Sequence, residues 1–415
     1  MEEIQLYPHS HYLFKAKWIL PITLPPIFNG GIEVKGRKIV RIGKFKDIKR
    51  ECKRAKLVDF EDSIILPALV NAHTHLELSA LRFRLSPSGS FGFWVKNIIK
   101  KKAELSPFEM KESARMALNE MWKDGIGIIG EVSNSAITLD SVCSSPFFGY
   151  YFQEIIDFKG LKKLSPLSTP PECSGFKVTY SAHAPYTVSP LLLQAIKSYT
   201  RKRKKLFVIH CAESEEEVEF LKTGKGFFKK LLQEKGQWNE SFSPPGKSPV
   251  MYLYSLGILD KNTLLIHAVH LNNEDIKILK KTNTKVCVCL RSNLFIGVGK
   301  PPLKELIENG IEACVGTDSL ASNDKLSIWE ELKALSSFYP EISLEKLLEM
   351  ATFRGANILG FKNLGALSPG FLAFFIVINL KNSLPENFSE VITLLVNSQK
   401  EVIYRTNVYK YREQT

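Results

Sequence analysis

Two histidines close an apolar run, Ile65-Leu66-Pro67-Ala68-Leu69-Val70-Asn71-Ala72-His73-Thr74-His75. Side chains two apart on a strand share a face, so both imidazoles can reach one ion. His9-Ser10-His11 repeats the pattern with no apolar strand before it and reads as part of a mobile terminus. A second apolar run, Leu206-Phe207-Val208-Ile209, leads into His210-Cys211-Ala212-Glu213. His210 would complete three imidazole ligands, a set that suits zinc or ferrous iron. Glu213, three residues on, is suited to shuttling protons. A third run ends in His267-Ala268-Val269-His270. His267, nearer the strand end, is expected at the site, and His270 behind it or at the surface. A fourth runs Ala313-Cys314-Val315-Gly316-Thr317-Asp318. Asp318 is placed to bind a metal and to take a proton from its water. His183, in Ser181-Ala182-His183-Ala184-Pro185, closes one more strand and would face the same mouth. Six of the eight histidines thus fall at ends of expected strands, too many for coincidence.

The elements that must position them alternate. Short apolar runs begin near Ile64, Ile126, Phe147, Phe176, Leu206, Thr263, Lys285 and Glu312. Amphipathic stretches such as Pro107–Asp124, Pro190–Lys202, Asn273–Lys281 and Leu303–Asn309 lie between them. Eight such units in roughly 300 residues suit an α/β fold, a (β/α)8 TIM-type barrel with catalytic groups at the C-terminal ends of its strands. A doubly wound open sheet is the alternative, but no Gly-x-Gly-x-x-Gly follows any strand to support its dinucleotide form. Both ends of the chain read as short strands, including residues 374–378 and 391–396. We expect residues 1–63 and 363–415 to form one small β-sandwich domain around a barrel at 64–362. Three prolines in 159–175, with Ser and Thr, mark a surface loop. Residues 223–249, with Gly, Pro and Lys around Phe227, Phe228 and Trp238, have the texture of a lid or substrate loop.

The 415 residues are 44% hydrophobic and 24% charged, which allows a large buried core. The net charge is +13, from 56 Lys and Arg against 43 Asp and Glu. The basic residues are scattered, and the densest run, Arg201–Lys205, lies where a solvated turn is expected. The pattern argues against nucleic-acid binding, while a positive field would draw in an anionic small substrate. Seven cysteines without a Cys-x-x-Cys point to a reducing cytoplasm and no disulfide framework. No signal peptide or membrane span is expected. The expected partner is a small-molecule substrate, with no nucleic acid and no membrane; a homodimer stays open.

Taken in order, His-x-His, His-Ala-Pro-Tyr-Thr, His-x-Ala-Glu, His-x-x-His and Gly-Thr-Asp-Ser-x-x-Ser-Asn span essentially the whole chain. This series resembles the amidohydrolase superfamily, and within it the metal-dependent aromatic deaminases. The resemblance implies His73, His75, His210 and Asp318 as ligands of one divalent metal, zinc before iron. It implies Glu213, His267 and Asp318 as catalytic groups, and His183, Glu77, Trp94, Arg291 and Ser322 as substrate contacts. Asn71–Ser79, Gly89–Trp94 and Arg291-Ser292-Asn293-Leu294 look like the aminodeoxyfutalosine deaminases of menaquinone synthesis. S-Adenosylhomocysteine, methylthioadenosine and adenosine deaminases are the alternative, as is a chlorohydrolase-like enzyme. Homocysteine-type relatives usually carry an acidic residue shortly after the tryptophan, where this chain has Val95-Lys96-Asn97. A substrate carboxylate would be met by Arg82, Arg291 or Lys300. A binuclear centre needs a bridging lysine at a strand end, and Lys177 starts its strand, so one metal is favoured.

Overall fold

The computed structural model describes residues 1–87, 89–160, 173–381 and 383–408. Eight parallel strands follow one another: Leu69–Thr74, Ile126–Ser133, Phe148–Ile155, Phe176–Ala182, Phe207–Cys211, Thr263–His267, Lys285–Val288 and Ala313–Val315. They pair in sequence as two four-stranded sheets, first to fourth and fifth to eighth. Backbone hydrogen bonds bridge both junctions. His210 N donates to the His183 carbonyl at 2.9 Å, and Thr317 N to the His73 carbonyl at 3.1 Å. Most of these strands are buried along their whole length, as parallel strands covered on both faces must be. Close strand approach is written into the glycines: a Cβ on Gly130 would sit 2.2 Å from the Ala72 carbonyl oxygen.

Intervening helices start on designed caps. Ser106 caps Pro107–Lys123 in a full capping box with Glu109. Ser189-Pro190 and Ser248-Pro249 open two more helices in the same way. Each such hydroxyl stabilises its helix by about 1 kcal/mol. The run beginning near Ile64 is two strands. Ile64–Pro67 pairs with the chain's terminal strands, and the first parallel strand starts at Leu69.

Both ends of the chain share one eight-stranded mixed sheet. Its order is Glu2–Gln5, Lys400–Asn407, Phe375–Leu380, Ile64–Pro67, His11–Ile19, Ile27–Lys35, Lys38–Lys44, with Lys56–Asp59 also beside His11–Ile19. Val391–Val396, expected as β, lies in a helix, Phe388–Asn397. Val391, Ile392, Leu395 and Val396 are its buried face, and Asn387 caps it. A short apolar run carries no period that separates the two states. His11 is not in a mobile terminus. It opens a strand, and its Nε2 lies 2.8 Å from Glu33 Oε1, a carboxylate 1% exposed. Cys143 and Cys173 form a disulfide, contrary to the reading of the cysteines as unpaired, while Cys52, Cys211, Cys287, Cys289 and Cys314 are free and buried. Most of the proline-rich loop expected over 159–175 lies outside the described residues. Among the described residues no helix is long and apolar enough to cross a membrane.

Arg405 fastens the terminal sheet to the parallel one. It is fully buried, stacks on Trp122, and donates to the carbonyls of Trp122 (2.6 Å) and Ile126 (3.3 Å). Arg405→Ala would take a charged donor from both carbonyls and leave a cavity over Trp122, and should cost about 3 kcal/mol, read as a lowered urea midpoint. Burial opposes ionisation of Glu33, but Arg41 and His11 outweigh it and hold the carboxyl at about 2 against an ordinary 4.5. A depressed carboxyl stabilises the fold above its unfolded value and loses that contribution as pH falls through its folded value. Glu33→Gln should therefore flatten the acid-induced loss of stability between about pH 4.5 and pH 2, measured by denaturant midpoints across that window.

Candidate metal centre and active site

His73 sits inside the first parallel strand and His75 just past its end, their ring centroids 4.7 Å apart. His210 arrives from the fifth strand. Its Nε2 lies 3.3 Å from the Nε2 of His73 and 3.3 Å from that of His75. Asp318, past the eighth strand, places Oδ1 3.7 Å from Nε2 of both His73 and His75. All four are buried.

The tautomers say what fills the centre. His210 Nδ1 lies 2.8 Å from the His183 carbonyl, and a backbone hydrogen bond to Val132 engages His75. A carbonyl can only accept, so each ring's proton is on that side and its Nε2 presents a lone pair. Two lone pairs facing each other at 3.3 Å repel unless a cation lies between them. A tetrahedral ion with Zn–N bonds of roughly 2.0–2.1 Å spaces its nitrogens about 3.3 Å apart. Burial, with the neighbouring imidazoles, pushes His73 and His210 well below the usual histidine range, so both stay in the neutral, ligating form. Burial opposes ionisation of Asp318, but His75, His267, His73 and the Ser292 hydroxyl outweigh it and hold the carboxyl at about 2. The donor set fits a divalent metal.

Backbone strain concentrates here. Ala212, His267, Ala268 and Asp318 have φ of 55°, 71°, 50° and 57°. Left-handed residues other than glycine cost roughly 1–3 kcal/mol each and persist only where neighbours hold them. The hold is visible: Asp318 N donates to the His73 carbonyl, and Glu217 accepts from the N–H groups of Ala212 and Glu213 at 3.0 and 2.9 Å. Gly316 makes room, since a Cβ there would lie 2.8 Å from the Cβ of His73.

Glu213 Oε1 lies 3.4 Å from His267 Nε2, both buried. His267 Nδ1 meets the side-chain oxygen of Asn293 at 2.8 Å, so its Nε2 is again the lone-pair side. Burial, then Asp318 and Glu217, push Glu213 well above the usual carboxylate range. Ser292 and Ser322 donate to Asp318 Oδ2 at 2.6 and 3.0 Å.

These groups floor a cavity of about 280 Å³, the only one among those described that contains the four candidate ligands' neighbours Glu213 and His267. Its walls are mostly apolar: Phe91, Trp94, Ile98 and Ile99 from one helix, Phe228, Leu231 and Leu232 from another within 223–249. His183 lines it, with Nδ1 2.8 Å from Thr187 Oγ1. Trp94 lines it while its indole donates to the Ala321 carbonyl. Glu77 also lines it, but its oxygens are engaged by Lys102 at 2.5 Å, Ser133 at 2.8 Å and Ser135 at 2.5 Å. Ser322 reaches the site through Asp318.

Arg291 stands apart. It pairs with Asp324 and is not among the residues that line the cavity. Arg82 pairs with Glu120, and Lys300 lies over Tyr339. Neither of these lines the cavity. The basic groups at the cavity are Lys102 and Lys235. Lys177 binds the carbonyls of Leu359 and Gly360, far from the centre. Sequence reading missed Asn293, Lys102, Glu217 and Glu154. Glu154 had a readable signal, since it ends the third parallel strand as His183 follows the fourth.

His210→Ala removes the nitrogen that faces both His73 and His75. Metal per chain, measured by plasma mass spectrometry after dialysis, should fall at least about tenfold with the fold retained.

Comparison with known proteins agrees with this geometry. Residues 64–406 match the model of the amidohydrolase family. The chain is 27% identical over 397 residues to the 5-methylthioadenosine/S-adenosylhomocysteine deaminase of Pyrococcus abyssi, covering 88% of each chain. Helicobacter pylori aminofutalosine deaminase, solved with methylthio-coformycin, superposes with a TM-score of 0.84 at 24% identity, covering 94% of this chain and 97% of that one. An adenosine deaminase from Xanthomonas campestris with bound zinc gives 0.78 at 21%, covering 96% and 90%. With its family-wide match and its buried three-histidine, one-aspartate cluster, the chain belongs to the amidohydrolase family and is a hydrolase acting on C–N bonds.

Proposed function

We propose that this protein is a zinc-dependent deaminase of adenine nucleosides, acting on 6-amino-6-deoxyfutalosine within menaquinone synthesis. The observation that carries the deaminase reading is the Glu213–His267 pair beside the His73, His75, His210 and Asp318 set, on the floor of an apolar cavity. A divalent ion held by those four residues supplies the Lewis acidity that makes a water nucleophilic near neutral pH. Glu213, buried beside His267, is placed to carry a proton from that water to a ring nitrogen, which makes the amine-bearing carbon electrophilic. His267 offers the lone pair of Nε2 to the attacking hydroxyl, and Asn293 fixes the ring for that task. Asp318, held ionised, stabilises the same hydroxyl. His183, Trp94 and Glu77 shape the base and sugar side of the cavity.

The apolar walls suit an aromatic or thioether tail, and Lys235 at the rim is placed to meet a terminal carboxylate. The two parallel sheets belong, in this reading, to one closed (β/α)8 barrel, with the sheet built from both chain ends, Ile64–Pro67 included, as its sandwich-like companion. The nitrogen spacing and the zinc-bearing Xanthomonas relative support the choice of zinc. The walls also suit methylthioadenosine, as the Pyrococcus relative's name suggests.

An ammonia-release assay on aminodeoxyfutalosine, methylthioadenosine, S-adenosylhomocysteine and adenosine should give the highest kcat/KM on the first. Higher activity on another sinks the substrate assignment and leaves the deaminase. Glu213→Gln should lower kcat by at least about a hundredfold with metal content unchanged.

A further inference from the structure

One buried carboxyl in the cavity has no part in the reaction above. Glu154 ends the third parallel strand, its side chain is 4% exposed, and it lines the cavity. Among the described residues nothing hydrogen-bonds its Oε1. The nearest candidate, His210 Nδ1, is 3.7 Å away and already directed at the His183 carbonyl at 2.8 Å. Glu154 is therefore not the carboxylate that orients this histidine. A buried acceptor without a donor is unfavourable, and a bound donor is its natural complement.

Position narrows the donor. A Glu154 oxygen lies within 4.8 Å of ligand nitrogens of both His75 and His210. It is two strands away from Glu213, with His183 between. We propose that Glu154 accepts a hydrogen bond from the exocyclic amine of the substrate and holds the leaving nitrogen on the side away from Glu213. This rests on the deaminase reading. In the step, the water oxygen bonds to the ring carbon and the C–N bond breaks. Nitrogen keeps that bond's electron pair and leaves as ammonia with one of the water's protons. The other proton ends on the ring nitrogen. Glu154 gains and loses none; it fixes the direction in which the amine points.

The test compares an amine-bearing adenine nucleoside with purine riboside, adenosine lacking its amine, used as an inhibitor. Glu154→Leu should lower kcat/KM for the best adenine nucleoside by about tenfold to a hundredfold, leaving the inhibition constant of purine riboside and the metal content unchanged. Glu154→Gln keeps an acceptor oxygen and should recover part of the loss; it carries the comparison if the leucine variant does not fold. Weaker purine riboside binding in step with the loss would assign Glu154 to the sugar and overturn the proposal. Lost metal would make it a positioning residue for His210, with the same result, as would unchanged kcat/KM. If the unaltered enzyme releases ammonia from no adenine nucleoside, the deaminase reading fails and this inference with it.

Discussion

Three imidazole nitrogens with their lone pairs turned toward one point are the constraint on which the rest of the structure depends. Neutral histidines at 3.3 Å do not stay together unaided. The His183 carbonyl holds His210 from behind and Val132 holds His75, both through backbone. Those carbonyls belong to neighbouring parallel strands. The ligand geometry is thus a property of strand register, and a slip by one residue would turn the rings away.

The surroundings show the same dependence. Four residues other than glycine take left-handed backbone at strand ends, and Gly316 removes the side chain that would push His73 aside. Carboxylates such as Glu77 and Glu217 use their oxygens on nearby N–H and O–H groups and so order the loops around the site. Glu131 does this deepest in the protein, accepting from Leu76 N just past His75 and from Thr138.

Much of the site was legible because strand ends advertise themselves: an apolar run that stops at a polar residue is visible in one dimension. His73, His75, His210, Glu213, His267 and Asp318 could all be named that way. Arg291 could not be placed, because a positive charge near a motif says nothing about which way its helix faces, and Asp324 takes it. Asn293 and Lys102 were missed for the opposite reason, since their partners are distant in sequence and neither breaks an apolar pattern. Val391–Val396 shows the limit for fold: an apolar run without a polar period reads as strand or helix alike, and here it forms a helix packed on the helices Ile328–Phe338 and Leu344–Glu349.

Arg405 has a consequence in time. Its guanidinium covers Trp122 and satisfies two carbonyls that lie some 283 residues earlier in the chain. At about 5–20 residues per second, translation needs roughly 15–60 s to span that gap. For that interval Trp122, near the end of the helix Pro107–Lys123, lacks its guanidinium cover. The joint between the two sheets therefore closes only after Lys400–Asn407 has been made, later than every residue of the metal centre.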